Sequence, residues 1–116
     1  MFGEVTVSIF ENPQAEKMFF SEKVFDWMGE DSRHWPITNE NKIIRGARKG
    51  IEHCWKNIPV EISNRKISFK VEQIRFTEVD STEDTIAYAA CFAAWQALGL
   101  KPVSPPTIEG NQILFA

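Results

Sequence analysis

Cysteine is scarce in this chain, and its two residues, Cys54 and Cys91, stand far apart without the Cys-x-x-Cys spacing of a metal or redox site. That excludes a disulfide-rich scaffold, and both are read as buried free thiols inside helical patterns. Also missing is any run approaching the roughly 20 apolar residues that a membrane-spanning helix needs. The opening Met1-Phe2-Gly3-Glu4 lacks the basic-then-apolar design of a secretory signal, so a cytoplasmic protein is expected, with no membrane partner. No Gly-x-x-x-x-Gly-Lys-Ser/Thr loop occurs, which excludes a GTP-driven mechanism and nucleotide as a partner of that kind. There is no internal repeat, no metal-ligand spacing and no cofactor fingerprint.

What the chain does have is a supply of large apolar groups. Nine Phe and four Trp among 116 residues, with 43% hydrophobic and 25% charged content, are enough for one modest core. A single domain over residues 1–116 follows.

Residues 4–10 alternate Val5, Val7 and Ile9 with Glu4, Thr6 and Ser8, the pattern of a half-buried strand. Asn12-Pro13 breaks it, and the aromatic-rich run Met18–Phe25 is expected to return as the second arm of a hairpin. After an irregular stretch over 26–37, Thr38 or Asn39 caps a helix. In it Ile43, Ile44, Ala47, Ile51, Cys54 and Trp55 recur at three- and four-residue steps to about Asn57. Gly46 and Gly50 lie four apart on that helix at a cost of roughly 1 kcal/mol each relative to Ala, which implies close approach of a neighbouring backbone.

Beyond Pro59, Val60-Glu61-Ile62 reads as a short strand joined by an Asn64-Arg65-Lys66 turn to a longer one over 67–76. The inward phase of that strand changes between Val71 and Ile74, and a bulge near Gln73 would restore it. A second helix begins at Asp80 or Ser81, with Glu83 and Asp84 in its positive first turn, and stops at Gly99. Its small-residue face, Ile86, Ala89, Ala90, Ala93 and Ala97, is expected to touch the sheet, with Tyr88, Phe92 and Trp95 making a bulky face. Residues 101–106 form a proline-rich connection to a last strand at 112–115. The order β-β-α-β-α-β predicts a two-layer α+β fold, with two helices on one face of a four-stranded sheet.

Charge is uneven along the chain. The formal net charge is -3, yet residues 42–75 carry nine basic groups against three acidic ones. Within that segment Arg45, Arg48, Lys49, Lys56, Arg65 and Lys66 are the candidate polyanion-binding residues. The alternative reading is a solvated helix face with an exposed turn.

At Lys49-Gly50-Ile51-Glu52 and Glu78-Val79-Asp80-Ser81 the sequence resembles domain IV of translation elongation factor G. In that family a Lys-Gly-Ile-Glu-like run lies on the first helix, and a Val-Asp-Ser signature caps a long Ala-rich one. Phe2-Gly3-Glu4-Val5-Thr6-Val7 resembles the family's first strand, and Lys101-Pro102-Val103 with Pro105-Pro106 its passage out of the last helix. The resemblance implies a ribosomal-protein-like fold with a left-handed strand-helix-strand crossover, against the usual right-handed rule. It also implies a non-catalytic domain associated with the ribosome or RNA. The sequence begins after the first of the family's two tip loops, and the second is reduced to Arg75-Phe76-Thr77, with Thr77 where the family has histidine. The family's contacts to messenger and transfer RNA are therefore expected to be missing.

Two other function classes compete with RNA association. A protein-interaction module, pairing with another protein or with itself, would use Phe25, Trp27 and Trp35 as anchors. An enzyme would need a constellation, and none is evident. His53 and Cys54 are adjacent on a helix and point about 100° apart, and His34 has no placed partner. The acids Glu78, Asp80, Glu83 and Asp84 fit a helix start better than a cation site.

Overall fold

The structure, a computed structural model, describes residues 3–13, 17–21, 24, 42–76, 82–110 and 112–115. Its elements are β1 (Glu4–Glu11), β2 (Met18–Phe20), α1 (Lys42–Asn57), α2 (Val60–Ser63), β3 (Ile67–Arg75), α3 (Glu83–Leu98), β4 (Thr107–Glu109) and β5 (Gln112–Leu114). The chain is mixed α and β. No described helix is long and apolar enough to cross a membrane.

The main sheet is ordered β1-β3-β2, with β1 antiparallel and β2 parallel to the central strand. The expected hairpin of the first two strands is thus overturned, since β1 and β2 lie on opposite sides of β3. The reason lies in β3 itself. Ile67, Phe69, Val71 and Ile74 are almost wholly buried, so this strand needs partners on both edges, and the parallel one is reached through the α1 crossover.

Alternation places Val5, Val7 and Ile9 of β1 opposite Ile74, Val71 and Phe69. The bulge foreseen near Gln73 is present: the register jumps between Thr6 and Val7, leaving Glu72 as the extra residue. It turns outward, where its Oε1 accepts from Ser8 Oγ at 2.8 Å. On the same face the Phe10 and Phe19 rings meet at 5.5 Å, and buried Ser68 accepts from Asn12 Nδ2.

Three further expectations need correction. Strand β2 stops at Phe20 rather than Phe25, because the chain turns through a Val24 N–H to Ser21 carbonyl bond. Buried Val24 then accepts from Ile74 just past the bulge. Val60-Glu61-Ile62 is a helical turn, not a strand: Pro59, with φ -59°, starts it and its carbonyl accepts from Ile62. Among the described residues there is no single four-stranded sheet. The last strand, β5, pairs with β4 in a separate antiparallel hairpin.

Helix α1 follows its predicted period, burying Ile43, Ile44, Ala47, Ile51 and Cys54; the expected caps Thr38 and Asn39 lie outside the described residues. Its two glycines meet α3. A methyl group at Gly46 would overlap the Glu83 carbonyl, and one at Gly50 the Ala87 carbonyl. Helix α3 is capped by Thr82, whose Oγ1 accepts from the Thr85 N–H at 3.0 Å, and Asp80 and Ser81 lie outside the described residues. It ends at Gly99 in the left-handed conformation, φ 70°. Its buried face is rotated from the expected one. Thr85, Ile86, Ala87, Ala90, Cys91, Ala94 and Trp95 go inside, while Ala89, Ala93, Ala97, Tyr88 and Phe92 are half-buried.

Gly50→Ala is expected to destabilise the protein by about 2 kcal/mol, because backbone overlap outweighs the roughly 1 kcal/mol of helix propensity gained. Thermal melting would register this as a fall of roughly 8 °C. Ala90→Leu is expected to cost about 1 to 3 kcal/mol and Ala93→Leu less than about 1. Equal losses at positions 90 and 93 would contradict the observed rotation of α3.

Candidate functional site

The six cations singled out from the sequence do not form one stripe. Arg45 Nε lies 3.0 Å from Glu83 Oε1, and Lys49 Nζ 2.6 Å from Asp84 Oδ1, so both bridge α1 to the first turn of α3. Lys49 also sits 4.7 Å above the Phe115 ring. Further along the segment, Arg75 faces Glu4 and Lys70 faces Glu72, each at 4.0 Å. These pairs are exposed and each is worth less than about 1 kcal/mol, but they neutralise the α3 end of the basic segment.

The opposite end of the domain is different. There the C-terminus of α1, the start of β2, the end of β1 and the turn before β3 converge, as the parallel β2-β3 pairing requires. Lys56 stands exposed in the last turn of α1, favourably placed against the helix dipole. Arg65 and Lys66 are exposed and line a wide cleft of about 480 Å³ with Glu11, Asn12 and Pro13. Lys17 joins them from β2's leading edge, its ammonium 4.9 Å above the Trp55 ring. Among the described residues, none of Lys17, Lys56, Arg65 and Lys66 is in an ion pair.

Arg48 turns away from the solvent face of α1. Its guanidinium lies 5.1 Å above the Phe20 ring, and its buried Nε has no hydrogen-bond partner among the described residues. With Lys17, Glu52 and Trp55 it borders a cavity of about 290 Å³, whose inner wall is Met18, Ile51 and Phe69. Sequence reading missed Lys17 altogether, because it stands 31 positions from Arg48. Nothing local in a sequence signals a contact made through a crossover.

A second missed contact is buried. His53 Nδ1 lies 3.7 Å from Cys91 Sγ on the facing helix, and the Phe115 ring stands edge-on to the imidazole at 5.3 Å. This is not an activated nucleophile, which would need a lowered thiol pKa. Burial pushes Cys91 up to about 11, and burial, with Cys91 nearby, pushes Cys54 up to about 12. Among the described residues no group of three or more His, Cys, Asp or Glu could hold a metal ion. Phe25, Trp27, Trp35, His34, Glu78 and Asp80 lie outside the described residues.

In comparisons with known proteins, no family model, no curated protein and no solved structure matches the chain.

The thiols give a direct check of this packing. At pH 8 neither Cys54 nor Cys91 is expected to react with Ellman's reagent until denaturant is added, and a fast native reaction would contradict their burial. Since both ionise less readily folded than unfolded, their contribution is fully present below the ordinary thiol value of 9.0. It is lost as pH rises toward 11 and 12, so the denaturation midpoint should fall over that window. Cys54→Ser with Cys91→Ser should flatten the fall.

Proposed function

We propose that this chain is a non-catalytic binding domain of the elongation factor G domain IV type, holding the phosphate backbone of RNA, on the ribosome or elsewhere, at the end where Lys17, Lys56, Arg65 and Lys66 converge. The observation that carries the reading is that Arg65 and Lys66 line one cleft, Lys17 borders the cavity beside Trp55 and Lys56 is exposed in the last turn of α1, with none of the four in an ion pair among the described residues. Phosphate contacts of this kind give affinity and register without sequence information. Apart from the one-turn helix α2 inserted after α1, the order β1-β2-α1-β3-α3 and the parallel pairing of β2 with β3 are compatible with the family's architecture. The left-handed sense of that crossover belongs to the same proposal. The footprint differs from the one expected on the helix, since Arg45 and Lys49 are engaged with Glu83 and Asp84.

A second reading is favoured by the β4-β5 hairpin, where Ile108 and Leu114 are 45% and 41% exposed. A two-stranded hairpin is marginal alone in water, so pairing between copies of this chain would protect it. Sedimentation equilibrium of wild type and Ile108→Lys decides that reading, which fails if both are monomeric at high concentration.

For the RNA reading, binding of a labelled single-stranded RNA is measured across a salt series. Counterion release makes log affinity fall linearly with log salt, by about 0.7 per phosphate contact on single strands. Changing Lys56, Arg65 and Lys66 together to Gln should reduce that slope by about 2. Arg45→Gln with Lys49→Gln should leave it unchanged. No binding by the wild type, or equal slopes in all three proteins, would overturn the reading.

A further inference from the structure

The cavity beside Trp55 has more chemistry than a backbone footprint needs. On one strip of α1, Arg48, Glu52 and Trp55 follow each other at four- and three-residue steps and therefore share a face. Arg48 and Glu52, though one turn apart, form no ion pair, and the buried Arg48 Nε–H has no acceptor among the described residues. A buried donor without a partner costs about 1 to 3 kcal/mol, and the guanidinium that carries it borders the cavity, where an anion can reach it. Next along the strip is the Trp55 indole, held at 90° to the Phe69 ring, with the Lys17 ammonium 4.9 Å above it. Lys17 is a flexible side chain on the open side, and it can move from the ring to an anion without disturbing the core.

We infer that this cavity takes one unpaired nucleotide of the bound RNA, its base stacked on Trp55, its phosphate held by Arg48 and Lys17, and an exocyclic amino group donating to Glu52. The inference rests on the RNA reading above and deepens it. The volume, about 290 Å³, lies at the small end of ligand cavities, near 300 Å³, and suits one base with its phosphate rather than two. A carboxylate accepts from the exocyclic amino group of cytosine, adenine or guanine, whereas uracil offers it only an N3–H flanked by the two carbonyl oxygens O2 and O4, which repel it. Stacking on an aromatic ring is the usual way in which single-stranded RNA is held, and it is closed to a paired base.

The test uses fluorescence anisotropy with oligo(C), oligo(U) and an RNA duplex of equal length at one salt concentration. Wild type should bind oligo(C) roughly tenfold tighter than oligo(U) or the duplex. Glu52→Gln should abolish the preference for C over U. Glu52 is exposed, so that variant folds normally. Trp55→Leu and Arg48→Gln should reduce oligo(C) to the level of the duplex, while Trp55→Phe retains most of the gain. A melting curve for each variant separates lost binding from lost folding. If wild type binds all three RNAs equally and Glu52→Gln changes nothing, the pocket assignment is wrong while the footprint stands, because the salt slope reports on the footprint separately. If no RNA binds, both fall.

Discussion

The close approach of α1 and α3 is the constraint on which the rest of the structure depends. With no side chain at Gly46 or Gly50, the α3 carbonyls of Glu83 and Ala87 sit where a β-carbon would be. Two helices brought that near also bring Arg45 to Glu83 and Lys49 to Asp84, and place Cys91 against His53. One flank of α1 is thereby committed to α3 and electrically satisfied. The remaining flank, with Arg48, Glu52, Trp55 and Lys56, is left facing the β2 side. The division of the basic segment into a neutralised end and a free end follows from backbone packing more than from charge.

The sheet adds the second half of this geometry. The bulge at Glu72 lets β3 keep Val71 and Ile74 inward although they stand three positions apart, so the strand can serve as a buried centre along most of its length. Strand β2, Met18–Phe20, pairs with only Phe69 to Val71 of that centre, and Lys17 just before it borders the cavity under α1. A longer β2 would have replaced that opening with strand.

Much of the fold was legible because its signals are local. Alternation in residues 4–10, the period of α1, the bulge forced by the change of phase in 67–76, and Gly99 as a left-handed stop each depend on a few neighbouring residues. What was not legible is non-local. No sequence pattern says that Met18–Phe20 pairs with residues 51 positions onward instead of with the strand next to it. The buried face of α3 was misplaced because apolar residues surround that helix, so periodicity gives no phase. For the candidate site, Arg65, Lys66 and Lys56 were named from composition, and Lys17 and the Arg48-Glu52-Trp55 face emerged only with the chain folded. The aromatic residues at 25, 27 and 35 fall outside the described part of the chain.

The antiparallel pairing of β1 with β3 has a consequence for the chain as it is made. Glu11 is joined to Ile67 only after more than fifty further residues have been added. At cellular elongation rates that interval is on the order of 3 to 11 seconds, during which Val5, Val7 and Ile9 have left the peptidyl transferase centre without the strand that will cover them. Contacts of such long sequence separation also slow the folding of the finished domain. For a nascent chain of this topology, strand β1 waits more than fifty residues for its partner, and protection of that segment in the interval falls to whatever meets it at the exit of the ribosome.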